Sequence, residues 1–134
     1  LQKEDFQQMK SLLQTIELNF VLTDPNMPDN PIVYASPGFL TLTGYRLSQV
    51  LFRNCRFLQG PNTDTKTINK IRSAIKTLTH TTVCIQNYNS EGVPFWNQFT
   101  ISPLLNGTGE VENFIGIQCK VSDEYAAMFL QEEI

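Results

Sequence analysis

The chain has 134 residues, enough to bury one hydrophobic core and too few for two. Its 41% hydrophobic and 17% charged residues exclude wholesale disorder, no apolar run approaches the roughly 18 residues of a membrane span, and no signal peptide is read at its start. A net charge of −3 argues against nucleic-acid binding by this segment, while Cys55, Cys84 and Cys119, widely spaced and without a CxxC, exclude a disulfide scaffold or structural zinc and fit a reducing, intracellular compartment.

Residues 3 to 18 read as a helix, with Phe6, Met9, Leu13 and Ile16 at helical spacing. Phe20 to Leu22 is a short strand, and Asp24 to Pro31, with three prolines and two asparagines, is a loop. After the strand Ile32 to Ala35, Ser36 caps a short helix with Pro37 at its first position and Gly44 at its end. Leu47 to Gly60 holds only short helical pieces. Asp64 caps a helix running to about Thr77, with Ile68, Ile71, Ile75 and Leu78 as its buried stripe. On the helical wheel Arg72 lies beside that stripe and is the helical cation best placed to reach inward.

The last third is strand: Thr81 to Tyr88, a turn over Asn89–Gly92, Pro94 to Leu104, and Val111 to Val121. Ser122 can cap a final helix. The order predicts an α+β fold, a five-stranded antiparallel sheet with short helices on one face and flanking terminal helices.

Charge is uneven. Between Arg46 and Lys76 seven basic residues face one acid, Asp64, a formal +6 where the remainder of the chain carries −9. A solvated face accounts for any single cation, and a place for a phosphate accounts for the cluster.

Strand alternation puts one carboxamide on each inward face. Asn87 follows Val83 and Ile85, Asn97 lies among Phe95, Phe99 and Ile101, and Gln118 follows Phe114 and Gly116. Each amide alone reads as a satisfied structural group. Together they favour a planar ligand with donors and acceptors along its edge, because a buried amide without a partner costs about 1–3 kcal/mol. Phe99, Phe114 and Ile101 would sandwich such a ring, Gly116 would let it approach the strand, and Arg56 and Arg72 would take its phosphate. A flavin or a comparable heteroaromatic fits. The opposite face of the last strand, Val111, Ile115, Ile117, Cys119 and Val121, is also apolar and requires a cover, either the terminal helices or a second subunit.

Cys55 lies among basic residues that would lower its pKa, whereas burial would raise it. Cys84 and Cys119 read as packing residues. His80, the single histidine, has no local motif for a Cys–His hydrolase and no partner for haem.

The run Asn54-Cys55-Arg56-Phe57-Leu58-Gln59-Gly60-Pro61 resembles the signature of the light-oxygen-voltage (LOV) photoreceptor domain, a flavin-binding PAS fold. Asp29-Asn30-Pro31-Ile32, Asn87-Tyr88, Phe95-Trp96-Asn97 and Phe114-Ile115-Gly116-Ile117-Gln118 resemble other segments of that family, over about residues 18 to 121. The run Phe39 to Tyr45 and the ending Gln118 to Asp123 look most like aureochromes, blue-light-regulated transcription factors with a basic-zipper region that this chain does not contain.

The resemblance implies an N-terminal flanking helix over 1–18, a LOV/PAS sensor core over 19–121 and the start of a C-terminal flanking helix over 122–134. Cys55 would form a reversible bond to flavin C4a under blue light. Asn54, Arg56, Gln59 and Arg72 would hold the ribityl chain and phosphate, and Asn87 and Asn97 would read the pyrimidine edge. Gln118 would contact N5 and O4 and relay the signal. Val21, Thr23, Asn30, Leu58, Ile75, Ile85, Phe99, Ile101, Phe114 and Gly116 would complete the pocket. The cofactor that the resemblance implies is FMN, with FAD and riboflavin as alternatives.

The implied function is a non-enzymatic blue-light sensor that signals through its flanking helices to an attached DNA-binding region. Its partner would be a second copy, docked through the outer sheet face and flanking helices, with no membrane and a nuclear location in the full-length protein. The alternatives are a PAS interaction module that binds flavin weakly or not at all, and a flavin enzyme using Cys55 for redox chemistry, which lacks a resolving cysteine nearby. The family usually has glycine where this chain has Phe52, which implies backbone strain if φ is positive there, or crowding if the site lies near the ring.

Overall fold

A computed structural model of the chain describes residues 7–8 and 18–132. The expected first helix, with Phe6, Met9, Leu13 and Ile16, lies outside the described residues except for Gln7 and Gln8, which are helical. The elements are β1 (Asn19–Thr23), β2 (Ile32–Ala35), α1 (Pro37–Thr43), α2 (Leu47–Val50), a 3-10 turn (Cys55–Leu58), α3 (Thr65–Thr77), β3 (Thr81–Tyr88), β4 (Pro94–Leu105), β5 (Val111–Val121) and α4 (Asp123–Glu132).

Local chemistry sets the boundaries. Ser36 Oγ accepts from Phe39 N at 3.2 Å, capping α1, and from Phe20 N at 2.9 Å, which fastens that cap to β1. Gly44, at φ 77°, ends the helix. The Asp64 carboxylate accepts from Lys66 N at 3.0 Å to start α3. Leu78 departs from the expected stripe: it is the C-cap of α3 at φ 57° and is 55% exposed, because the left-handed cap turns its side chain off the helix face. Ser122 Oγ accepts from Tyr125 N at 3.1 Å and starts α4, which packs against β3 and β4.

The strands form one antiparallel sheet in the order β2-β1-β5-β4-β3. The register aligns Val83, Phe99, Gln118 and Asn19 across four strands, and Ile101, Gly116 and Val21 across three. One cluster, Val21, Ile32, Ala35, Phe39, Val50 and Leu58, joins β1 and β2 to the short helices. A second, Ala74, Val83, Ile85, Phe99, Ile101 and Phe114, joins α3 to β3, β4 and β5. Burying a side chain the size of Phe39 or Phe114 contributes about 1.5–3 kcal/mol. A cavity between them takes wall residues from both clusters.

The other sheet face carries a third cluster of Phe20, Leu22 and Ile115, with Ile117 and Tyr34 packed against it. Two expected members of this face lie elsewhere or stay uncovered. Val111 packs on the second cluster, because pairing slips between Leu104 and Leu105 and the bulge shifts it out of phase. Cys119 is exposed rather than packed, whereas Cys84 is buried. Among the described residues, no helix is long and apolar enough to cross a membrane and no His/Cys/Asp/Glu group could hold a metal ion.

Candidate functional site

Between the sheet, α3 and the 3-10 turn lies a cavity in which the centre of a water molecule can range over about 150 Å³. That is some ten times the space one water needs, enough for part of a ring system. Its wall contains Cys55, Thr23, Asn30, Asn54, Arg56, Leu58, Gln59, Arg72, Ile75, Ile85, Asn87, Asn97, Phe99, Ile101 and Gln118, all expected from the sequence. Ile68 and Ile71 also line it. Helical periodicity places them on an inward stripe but cannot separate packing against the sheet from packing against a cavity.

The three amides converge on this space from three strands. Asn97 Nδ2 donates to Asn87 Oδ1 at 2.9 Å, and Asn97 Oδ1 accepts from the Cys119 backbone at 3.1 Å. The Gln118 amide faces the carbonyls of Asn19 and Gly116, which assigns its nitrogen to that side, donating at 2.9 Å and 3.2 Å. Its nitrogen is thus held by the strands, and its oxygen is the group left to meet a ligand.

Two other buried oxygens in the wall, Thr23 Oγ1 and Asn30 Oδ1, have no hydrogen-bond partner among the described residues. Leaving such groups unsatisfied costs about 1–3 kcal/mol each, and a ligand with polar atoms along its edge would satisfy them. This donor and acceptor set fits a flavin.

The cations are disposed unequally. Arg72 reaches the wall from α3 and makes no hydrogen bond or ion pair among the described residues. Arg56 is engaged by a residue 27 positions away. Its Nη1 donates to Asp29 Oδ1 at 3.0 Å and its Nη2 pairs with Asp29 Oδ2. Asn54 closes the same junction: its Nδ2 donates to the Asp29 carbonyl at 2.8 Å, while its Oδ1 caps the 3-10 turn through Arg56 N at 3.0 Å. The hydrogen bond from Arg56, reinforced by its charge, lowers the Asp29 carboxyl pKa below its ordinary value, and the guanidinium pKa is raised in return.

Cys55 opens the 3-10 turn and is half-buried. Desolvation pushes its thiol up to about 12 from 9.0, against a smaller lowering by its backbone hydrogen bond. Its basic neighbours do not oppose this, since Arg53 lies over the Phe57 ring at 4.4 Å and Arg56 is held by Asp29. Phe57 also meets Tyr45 edge to face at 5.1 Å, which anchors the turn. At neutral pH the site therefore presents a protonated thiol.

Three expected wall residues stand behind the cavity surface. Val21 and Phe114 are fully buried in the two clusters. The approach expected of a ligand ring at Gly116 is taken by Phe99: a Cβ there would lie 2.8 Å from Phe99 Cε1. Phe52 has φ 66° and is 69% exposed, so its cost is backbone strain and not crowding of the cavity.

A PAS domain model matches residues 17–121. Phototropin-2 of Oryza sativa subsp. japonica is 50% identical over 115 residues, which are 86% of this chain and 13% of that protein. A blue-light-activated histidine kinase of Brucella abortus (strain 2308) is 44% identical over 108 residues, 81% of this chain and 22% of the kinase. The chain thus spans a small fraction of the curated relatives it matches. A solved structure described as "Flavin Analogue Sheds Light on Light-Oxygen-Voltage Domain Mechanism" is 56% identical with a TM-score of 0.91, covering 94% of this chain and 93% of its own. The dark structure of the Aureochrome1 LOV domain is 51% identical with a TM-score of 0.87, covering 93% and 91%.

Proposed function

We propose that this chain, which belongs to the light-oxygen-voltage group of the PAS domain family, is a blue-light sensor that holds FMN in the cavity beside Cys55. The observation that carries this is the gathering of one protonated thiol, three amides and Arg72 around a single cavity, with Arg72 unpaired and two wall oxygens unsatisfied among the described residues.

When bound, the flavin would supply blue-light absorption and an electrophilic ring carbon, C4a, for a reversible bond with the Cys55 thiol. Asn87 and Asn97 orient the pyrimidine edge, their pairing fixing which groups face it. Arg72, with Arg56, Asn54 and Gln59, holds the ribityl chain and phosphate. FAD and riboflavin share the ring and are the alternative ligands. Ile68, Ile71 and Ile75 exclude water from one side of the site.

Gln118 carries the signal. A ring acceptor would draw the Gln118 nitrogen inward, and conversion of that ring atom to a donor would favour the amide oxygen there instead, an exchange of a bond worth about 0.5–1.5 kcal/mol. That exchange would return its nitrogen to the Asn19 carbonyl at the start of β1, enough to shift a balanced docking equilibrium of the flanking helices several-fold. We assign the core to 19–121, the flanks to 1–18 and 122–134, and no catalytic activity to this segment. In the full-length protein the output would be a change in dimer contacts regulating an attached DNA-binding region in the nucleus.

The test is the absorption spectrum before and after blue light. Bleaching with dark recovery is expected. A colourless protein that takes up no added flavin would select an interaction module, and bleaching that depends on a substrate would select an enzyme. In Gln118→Leu, hydrogen exchange on the flanking helices should lose most of its light response; an undiminished response would overturn the relay.

A further inference from the structure

The Arg56–Asp29 pair sits at the junction where the Asp24–Pro31 loop meets the 3-10 turn, with Arg56 in the cavity wall and Asp29 outside it. Both donor arms of the guanidinium point at one carboxylate of the same chain. Arg72, the other cation of the wall, has no such partner among the described residues. A ligand phosphate arriving at this end meets one available cation and one already neutralised. Arg56 has five donors and Asp29 uses two, so a phosphate can share it, but only with the carboxylate's negative charge a few ångströms away.

Building on the flavin reading of the cavity, we propose that Asp29 is a specificity determinant: its carboxylate holds back Arg56 and so reduces the pocket's preference for phosphorylated over unphosphorylated flavin. Asp29 then tunes ligand choice without touching the ring. The same ion pair latches the loop carrying Asn30 to the turn carrying Cys55, so ligand choice and closure of the rim share one contact.

Asp29→Asn separates charge from shape. Asn suits the left-handed backbone at this position, φ 68°, and can still accept from Arg56. Riboflavin and FMN are titrated into the ligand-free full chain, and the ratio of their dissociation constants is compared between variants. In Asp29→Asn that ratio should move toward FMN by about two- to fivefold at low salt, the range of an exposed ion pair. Near 1 M salt, where the screening length is about 3 Å, the shift should largely vanish. In an Arg56→Gln background, where only the carboxylate's direct repulsion of a phosphate remains, Asp29→Asn should shift the ratio less. An unchanged or reversed ratio in Asp29→Asn, or a shift undiminished without Arg56, would overturn the proposal. Equal loss of both flavins would assign Asp29 a purely structural role in the loop and likewise overturn it. Failure of the unsubstituted chain to bind either flavin is a different result, which would remove the cofactor reading itself and this proposal with it.

Discussion

Asn97 holds Asn87 through its amide nitrogen, over 2.9 Å, and holds the β5 backbone at Cys119 through its oxygen, over 3.1 Å. The two amides are therefore not equivalent. Asn97→Leu leaves two polar groups of its neighbours without partners, Asn87→Leu only one. At about 1–3 kcal/mol for each buried group orphaned, Asn97→Leu should be the more destabilising by at least about 1 kcal/mol. Urea unfolding of the ligand-free variants measures the order, and a larger loss in Asn87→Leu would contradict it.

Cys55 makes the fold sensitive to alkali. Its folded pKa, about 12, lies above the 9.0 of an unperturbed thiol. The stability from keeping the thiol protonated is whole below pH 9 and is lost as pH rises toward 12, because the unfolded chain releases the proton first. The slope is at most about 1.4 kcal/mol per pH unit. Thermal unfolding of the ligand-free protein from pH 8.5 to 10.5 should fall more steeply than in Cys55→Ala. Parallel curves would mean that the thiol is not desolvated. With flavin bound, Cys55→Ala should keep the ligand and lose reversible bleaching.

Phe52 occupies a left-handed backbone position that a bulky side chain rarely adopts. It is kept there by Phe52 N donating to Ile32 O and Ile32 N donating to Arg53 O, each at 2.8 Å. Left-handed geometry costs about 1–2 kcal/mol, and glycine returns part of that gain through a freer unfolded chain. Phe52→Gly should stabilise by about 0.5–1 kcal/mol and leave riboflavin affinity unchanged. A denaturant midpoint at or below that of the parent would show that the strain is relieved elsewhere.

Gly116 leaves the space that Phe99 fills. In Gly116→Ala the new Cβ would stand 2.8 and 3.0 Å from ring carbons of Phe99 and 3.3 Å from Val21 Cγ2. The ring's open side is the cavity, so it should be displaced that way, at a cost of about 1–3 kcal/mol. Both the melting temperature and riboflavin affinity should fall. Reduced stability with unchanged affinity would place the displacement elsewhere.

Strand alternation and turn chemistry made most of this molecule legible. Thr81–Tyr88 and Val111–Val121 are strands over the expected residues, and Ser36, Gly44, Asp64 and Ser122 act as the expected boundaries. Asn87, Asn97 and Gln118 were found by the same period-two argument, since a polar group recurring on an apolar face needs an explanation. What escaped has no period. The Asp29–Arg56 pair joins residues 27 apart, the slip beside Leu104 moves Val111 across the sheet, and the left-handed cap at Leu78 ends a stripe that its composition would continue. Phe99 against Gly116 is a diagonal contact across two strands, visible only once register is set.

The sheet order puts the first strand beside the last, with Asn19 opposite Gln118. The polypeptide therefore enters and leaves the core through neighbouring strands, about 4.8 Å apart. Such a unit is portable. A host protein can accept it inside a surface loop by parting that loop by little more than one strand spacing, with no long connector to return the chain. The two host segments are brought side by side where they join it, so a change in how β1 and β5 meet reaches both at once.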